Sequence, residues 1–211
     1  WEATKNTLLP PLRRSEVVVL GQTPIKSDEE LKAKMNDLNA LSDVEMLRLG
    51  AISDVAGKIT VYNAFITKYP EDWRGYNDLG AAQVASGSVT DGLKTLEKAH
   101  QLSPENPIIL ANLANASRAA GIFNMAETFY KMAAAKGADV SYGMGVMHIR
   151  KGNYAEALNQ LNKSGVKDFN LALAQLLNGN YDQAKSTIDN MKSESMAWEC
   201  YYLRAIIGAR T

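Results

Sequence analysis

The sequence predicts an all-α fold made of stacked helical hairpins, and three observations lead to this prediction. The chain has 211 residues, of which 46% are hydrophobic, so it is long and apolar enough to bury a core. Apolar residues recur at helical spacing through most of the chain. A pattern of small residues and glycines also occurs four times between residues 76 and 192.

The repeated pattern keeps the same internal spacing in all four copies. A small residue is followed seven positions later by a glycine, and another small residue comes five positions after that glycine. The four sets are Gly80, Gly87 and Gly92; Ala114, Gly121 and Ala126; Gly145, Gly152 and Ala157; and Ala172, Gly179 and Ala184. A bulky residue lies two positions beyond each turn glycine: Val89, Phe123, Tyr154 and Tyr181. Each copy is therefore predicted to be one unit of helix, turn and helix.

Each part of this spacing has a physical reason. A small residue on the apolar face of a helix lets a second helix approach closely, because no bulky side chain holds the two backbones apart. Glycine ends the first helix because it adopts the left-handed backbone conformation that follows a helix end at little cost. A single hairpin cannot bury its own apolar face, so several hairpins must stack.

The first forty residues differ in kind, and 1–40 is predicted to form an extended arm or linker with one short helix. Pro10-Pro11 and the β-favouring segment 16–22 indicate extended backbone. Ser27-Asp28-Glu29-Glu30 has the spacing of a capping box, which predicts a helix that runs to about Asn36.

From residue 41 onward the chain divides into hairpin units and a terminal helix. The expected units are 41–72, which is degenerate, then 73–106, 107–137, 138–164 and 165–192, followed by a capping helix at 196–210. The distance between corresponding small residues falls from 34 to 31 and then to 27. This shortening predicts shorter second helices and irregular stacking in the C-terminal half.

The pattern resembles the tetratricopeptide repeat (TPR). Tyr76-x-x-Leu79-Gly80, Leu96, Ala99 and Pro104 match the TPR pattern, with Gly92 in the place of the usual alanine. The resemblance implies a right-handed α-α superhelix of about four to five hairpins, whose first helices line a concave groove. TPR proteins also dimerise through uncapped ends, so the segment 41–53 is a possible homodimer interface.

The resemblance also implies which side chains point into the groove. These residues are Asn77, Asp78, Ala81, Asn112, Asn115, Arg118, Tyr142, Val146, Ile149 and Arg150. Asparagine amides can hydrogen-bond to a peptide backbone, and Arg118 and Arg150 could hold a carboxylate. The lysines that the carboxylate-clamp group of TPR proteins uses are missing, so a receptor for chaperone tails is not expected. In the alternative interpretation these polar residues only solvate an unused groove.

The leading functional prediction is a non-catalytic scaffold that binds a protein or peptide segment in the groove. The alternative is a structural spacer in a cell-envelope protein. The whole chain resembles the C-terminal part of Bacteroides-type envelope proteins, in which a peptidoglycan-binding domain of the outer-membrane-protein-A type precedes TPR hairpins. The strings that carry this resemblance are Leu12-Arg13-Arg14-Ser15-Glu16-Val17, Tyr69-Pro70-Glu71-Asp72-Trp73 and the final ten residues, 202–211. It implies a periplasmic location at the outer membrane, with a cytosolic adaptor as the alternative.

Other functions have little support in the sequence. Basic and acidic residues balance at 23 each, which argues against nucleic acid as a partner, and no apolar run is long enough to span a membrane. His100 is expected to be solvated, His148 to pack between helices, and Cys200 to be a buried, inert thiol. No metal site, cofactor or enzyme motif is predicted, so the chain is not expected to be an enzyme.

Overall fold

The computed structural model describes residues 26–191 and 198–209. Those residues form twelve α-helices and a 3-10 helix at Leu38–Ala40, and they contain no β-strand. The α-helices are α1 Asp28–Lys32, α2 Asp43–Ile52, α3 Val55–Lys68, α4 Trp73–Ala85, α5 Val89–Leu102, α6 Pro107–Ala119, α7 Phe123–Ala135, α8 Ser141–Lys151, α9 Tyr154–Ser164, α10 Phe169–Leu177, α11 Tyr181–Asp189 and α12 Trp198–Gly208. The predicted all-α fold is confirmed, whereas the predicted extended arm before residue 26 lies outside the described residues.

The helices from α2 to α11 form five consecutive hairpins. Each first helix packs against the second helix of its own hairpin, and that second helix packs against the first helix of the next hairpin. At the C-terminal end, α12 contacts both helices of the last hairpin through its buried face, Cys200, Leu203 and Ile207. The arrangement is an α-solenoid, as the repeat pattern predicts.

The turn within each repeat is set by one glycine. Gly87, Gly121, Gly152 and Gly179 all have positive φ angles, between 77° and 91°. Each following helix begins two residues after its glycine. Side chains other than glycine rarely adopt this backbone conformation, so the turn is encoded locally.

The helices α4 and α5 approach each other closely at two glycines. A Cβ atom added at Gly80 would lie 2.9 Å from the backbone oxygen of Gly92, and one added at Gly92 would lie 2.8 Å from the backbone oxygen of Gly80. The backbones of the two helices therefore nearly touch. This contact explains why Gly92 takes the place of the alanine that the TPR pattern usually has.

The C-terminal hairpins are shorter than the N-terminal ones. First helices have 13 residues in α4 and α6, 11 in α8 and 9 in α10, and second helices have 14, 13, 11 and 9 residues in α5, α7, α9 and α11. The predicted shortening of second helices is seen in α9 and α11. The fall in spacing from 34 to 31 residues instead shortens the start of α8, since Gly145 lies four residues into its helix whereas Gly80 and Ala114 lie seven residues into theirs.

The N-terminal end of the solenoid is covered by the segment before α2. Leu31 of α1 and Leu41 are each 1% exposed and pack in one cluster with residues of α2 and α3. Ion pairs join Lys26 to Glu45 and Arg48 to Asp28. The segment 41–53 is therefore not an open end, and the premise of the predicted homodimer interface is absent there.

Candidate binding groove

The first helices of the repeats lie on the inner side of the solenoid. Helix α4 contacts α6, and α6 contacts α8, whereas the second helices in the described part of the chain make at most marginal contacts with one another. Because elements on the inside of a curved array lie closer together, this asymmetry makes α4, α6 and α8 the concave face. The residues expected in the groove come from these three helices.

At the N-terminal end of this face, three polar side chains form a hydrogen-bonded chain. The Asn112 amide of α6 donates to Oδ1 of Asn77 at 2.9 Å, and the Asn77 amide donates to Oδ1 of Asp78 at 2.9 Å. Asn77 is only 3% exposed, so its amide joins α4 to α6 and has almost no surface to offer a partner. Asp78 is half-buried, and this burial raises the pKa of its carboxyl group above the usual range.

In the middle of the face, Tyr130 organises Asn115 and Arg118. The Tyr130 hydroxyl donates to Oδ1 of Asn115 at 2.7 Å and accepts from Nε of Arg118 at 3.3 Å. Burial raises the pKa of Tyr130, while the Arg118 charge opposes the shift. The tyrosine ring also fills the space beside Gly143 of α8, where an added Cβ would lie 2.4 Å from the hydroxyl oxygen. Arg118 is half-buried and pairs with no carboxylate among the described residues.

At the C-terminal end, Tyr142 joins α8 to α10. Its hydroxyl donates to Oδ2 of Asp168 at 2.5 Å and accepts from the Asn170 amide at 2.8 Å. Oδ1 of Asp168 caps the first turn of α10. Burial and the Asp168 carboxylate raise the pKa of Tyr142. These bonds engage the hydroxyl within the protein, so Tyr142 holds two hairpins together.

The remaining groove positions are less polar. Val146 and Ile149 pack against the cluster between α9 and α10, and Arg150 is exposed near the end of α8. The structure thus brings Asn77, Asp78 and Asn112 together, and separately Asn115 with Arg118. It joins Arg150 to neither group.

A cavity of about 380 Å³ lies beside Asp78, between α4 and the first hairpin. Four alanines line it, Ala51 from α2 and Ala81, Ala82 and Ala85 from α4. From α3 come Val55, Lys58 and Tyr62. The sequence reasoning did not select Lys58 or Tyr62, because α3 departs from the repeat pattern. The three alanines on one face of α4 were the available signal.

The residues considered for other chemistry lie apart from the groove polar groups. His100 is half-buried with its ring edge-on to Phe129, 6.0 Å between centroids, so the prediction that it is solvated is wrong. His148 is half-buried and Cys200 is 1% exposed. No group of three or more potential metal ligands occurs within residues 26–191 and 198–209. In that same part of the chain, no helix is long and apolar enough to cross a membrane.

No protein-family model and no curated protein matches the sequence, but solved structures do. The chain is similar to a tetratricopeptide repeat protein from Parabacteroides merdae ATCC 43184, with 21% identity, a TM-score of 0.53, and coverage of 85% of this chain and 72% of that one. It is similar to TTC0263, a thermophilic TPR protein in Thermus thermophilus, with 18% identity, a TM-score of 0.63 and coverage of 80% and 98%. It is also similar to the MamA protein, with 19% identity, a TM-score of 0.51 and coverage of 76% and 90%. The fold is that of tetratricopeptide repeat proteins.

The TPR fold accounts for the position of the polar residues on the concave face, and their hydrogen bonds divide them into two groups. Asn77 and Tyr142 form bonds between TPR hairpins, whereas Asp78 and Arg118 on the concave face form no ion pair within residues 26–191 and 198–209. The resemblance to envelope proteins with an outer-membrane-protein-A-like domain stays a prediction, as does the periplasmic location.

Proposed function

We propose that this chain is a non-catalytic scaffold whose concave face binds an extended segment of a partner protein. The observation that carries this proposal is the combination of burial and incomplete hydrogen bonding at Arg118. Its guanidinium is half-buried on the concave face, and its one hydrogen bond within the described residues is the 3.3 Å contact from Nε to the Tyr130 hydroxyl. The terminal nitrogens are free to bind a carboxylate.

The physical argument rests on desolvation. A guanidinium that is partly removed from water loses solvation, and an ion pair with a carboxylate restores that interaction in a planar, bidentate geometry. The position of Arg118 is fixed by Tyr130, so little side-chain freedom is lost on binding. An acidic side chain or the C-terminal carboxylate of a partner segment fits this site.

The experiment is capture of partners on the immobilised full chain, followed by affinity measurement with each captured protein. Arg118→Gln should weaken binding of a groove partner by about tenfold or more, because a charge-assisted hydrogen bond is lost. Lys94→Gln is the matched control, since Lys94 is an exposed cation on the second helix α5. Asn115 is left unchanged because its loss would leave the Tyr130 hydroxyl without its acceptor. If Arg118→Gln and Lys94→Gln retain every partner equally, the groove proposal fails.

A second candidate function is a rigid spacer within a larger cell-envelope protein. It is favoured by the bonds that tie hairpin to hairpin, from Asn112 to Asn77 and from Tyr142 to Asp168 and Asn170. On this view the polar side chains stiffen the solenoid and need no ligand. Retention of all binding by the Arg118→Gln variant would favour the spacer.

A further inference from the structure

The cavity beside Asp78 combines an apolar lining with two polar groups that are incompletely paired. Among the described residues, the Asp78 carboxylate forms no ion pair, and its one hydrogen bond is the 2.9 Å bond from Asn77 to Oδ1. Tyr62 is only 4% exposed, and its hydroxyl has no hydrogen-bond partner in the described part of the chain. Both residues line the same cavity.

Burial disfavours the charged form of both groups, and the pKa of each is raised as a result. Burial raises the pKa of Tyr62 to about 12, with a further contribution from the Asp78 charge. Burial also raises the pKa of Asp78, although the hydrogen bond from Asn77 and the charges of Arg74 and Lys58 oppose the shift. Neither the Asp78 carboxylate nor the Tyr62 hydroxyl is sealed off from the cavity that both residues line, so a ligand in the cavity can complete their hydrogen bonds.

The Tyr62 ring is held in place by the first hairpin. A Cβ added at Gly50 of α2 would lie 2.4 Å from the ring, so the glycine is what lets the ring pack against that helix. The cavity itself exists because α4 presents Ala81, Ala82 and Ala85 on one face. In the next repeat, Asn115 occupies the position that corresponds to Ala81. The recess is therefore specific to the first two hairpins.

We propose that this cavity binds an arginine side chain of the partner segment, with the guanidinium against Asp78 and Tyr62 and the aliphatic stem along the alanines. An arginine carries five N–H donors and no acceptor, which matches the acceptor oxygens that Asp78 and Tyr62 offer. Its methylene stem gains free energy by covering apolar surface. A cavity of about 380 Å³ is ample for such a side chain.

The charge of Asp78 is the feature of the cavity that attracts a cation, and Lys58 is the group that opposes it. Asp78 is the one carboxylate lining the cavity, and Lys58 is its one cation. Lys58 forms no ion pair among the described residues and is half-buried, so its ammonium can move towards water when a guanidinium enters. Lys58 then acts as a competitor for Asp78, and its removal should strengthen binding.

The inference rests on the proposed function, because it names the chemistry of one side chain in the bound segment. With Arg118 one repeat further along the face, the partner would place a basic residue at the α4 cavity and an acidic group at α6. Adjacent packed helices lie about 8–10 Å apart, so a few residues of extended peptide span the two sites.

The test uses the full chain and a small probe, N-acetylarginine N-methylamide, followed by NMR chemical-shift mapping. The expected result is saturable shifts at Ala81, Ala82 and Ala85, with a dissociation constant in the range of about 1–10 mM, which corresponds to a single side chain. The norleucine and glutamate analogues should bind about tenfold more weakly or not at all. Asp78→Asn should reduce arginine binding to the level of the norleucine analogue, and Lys58→Met should increase it.

Two controls keep the result interpretable. Asp78→Asn is isosteric and retains the acceptor for the Asn77 amide, and its thermal melt reports whether it is folded. Asp182→Asn changes an exposed carboxylate on α11 and should leave the shifts unchanged. Equal binding of the norleucine analogue, or arginine binding that survives Asp78→Asn, overturns the inference. The probe does not involve Arg118, so the two experiments can be interpreted separately. A negative probe result does not bear on the capture experiment, and a negative capture result does not bear on probe binding.

Discussion

The two halves of the solenoid use the same repeat in different ways. From α4 to α7 the helices have 13 or 14 residues, whereas from α8 to α11 they have 11 or 9. The glycine turn is identical in both halves, so all the shortening occurs at the opposite end of the hairpins. The turn tolerates no change because it depends on one backbone conformation, while the open end can lose a helical turn without affecting it.

The groove positions follow this division. In α4 and α6, Asp78 and Arg118 leave charge open to solvent on the concave face. In α8, the corresponding face carries Val146 and Ile149, which pack against the cluster between α9 and α10. All four positions are half-buried, so the two halves differ here in the polarity of the side chains and not in their exposure. The charged residues on which the proposed function rests, Asp78 and Arg118, therefore lie in the N-terminal half.

The largest expected effect comes from a substitution at the close contact between α4 and α5 in the N-terminal half. Gly80→Ala should cost about 1–3 kcal/mol of folding free energy, because the added methyl group meets a backbone oxygen that cannot move aside. At both glycines the shortest contact is to a leucine side chain, but at Gly145 the nearest backbone atom is 3.1 Å away instead of 2.9 Å, so Gly145→Ala should cost less. Urea unfolding at equilibrium measures both variants.

The control for this pair is Gly208→Ala near the end of α12, where an added Cβ meets nothing within 4 Å. It should be neutral or slightly stabilising, because alanine has the higher helix propensity. A Gly80→Ala variant as stable as the Gly208→Ala variant would mean that α4 and α5 are not in backbone contact.

Local features were the ones that the sequence could predict. Gly87 and its three counterparts identify the turns because a single residue determines that geometry. The covering of α2 by α1 was missed, since Leu31 is one buried residue in a five-residue helix with no periodicity to reveal it. Two other features depend on contacts with another helix. Gly92 is needed because α5 packs against Gly80 of α4, and His100 is half-buried because it packs against Phe129 of α7.

In the candidate site, too, the sequence could predict positions within a repeat but not contacts that depend on packing between helices. The fold resemblance located Asp78 and Arg118, because repeat register fixes which face of a helix is concave. It could not show that Asn77 is buried, or that Lys58 and Tyr62 of α3 line a cavity with Asp78. Those facts depend on the packing of a degenerate hairpin that has no counterpart in the repeat pattern.

A smaller effect is expected from Tyr142→Phe, which tests whether the two halves of the solenoid can lose stability independently. Tyr142→Phe removes the hydroxyl between Asp168 and Asn170 and should cost about 1–2 kcal/mol. In a solenoid, stability is a sum over repeats and their nearest-neighbour interfaces, so the loss should appear mainly in α10 and α11. Hydrogen exchange measured helix by helix detects it. Tyr130→Phe is the matched change in the other half, and equal loss of protection throughout the chain in both variants would show that the solenoid unfolds as one unit.

The smallest effect concerns the junction between the halves. Glu127 of α7 pairs with Lys151 of α8 at 2.6 Å and with Lys131 at 3.0 Å. Hydrogen bonds from Lys151 and Lys131 lower the pKa of Glu127 to about 2. A carboxyl group whose pKa is lowered on folding contributes stability at neutral pH, and the contribution is lost as the pH falls from about 4.5 to about 2.

Glu127→Gln should therefore reduce stability by less than about 1 kcal/mol at pH 7, since the pair is partly exposed. The difference from the unmodified chain should shrink as the pH falls below about 4.5 and be mostly lost near pH 2, where the carboxyl group is protonated in the unfolded chain and about half protonated in the folded one. Urea unfolding across this pH range measures it, with Glu97→Gln, an exposed carboxylate on α5, as the control. A difference as large at pH 2 as at pH 7 would assign the effect to packing between α7 and α8. The ion pair would then not be what joins the N-terminal half to the C-terminal half.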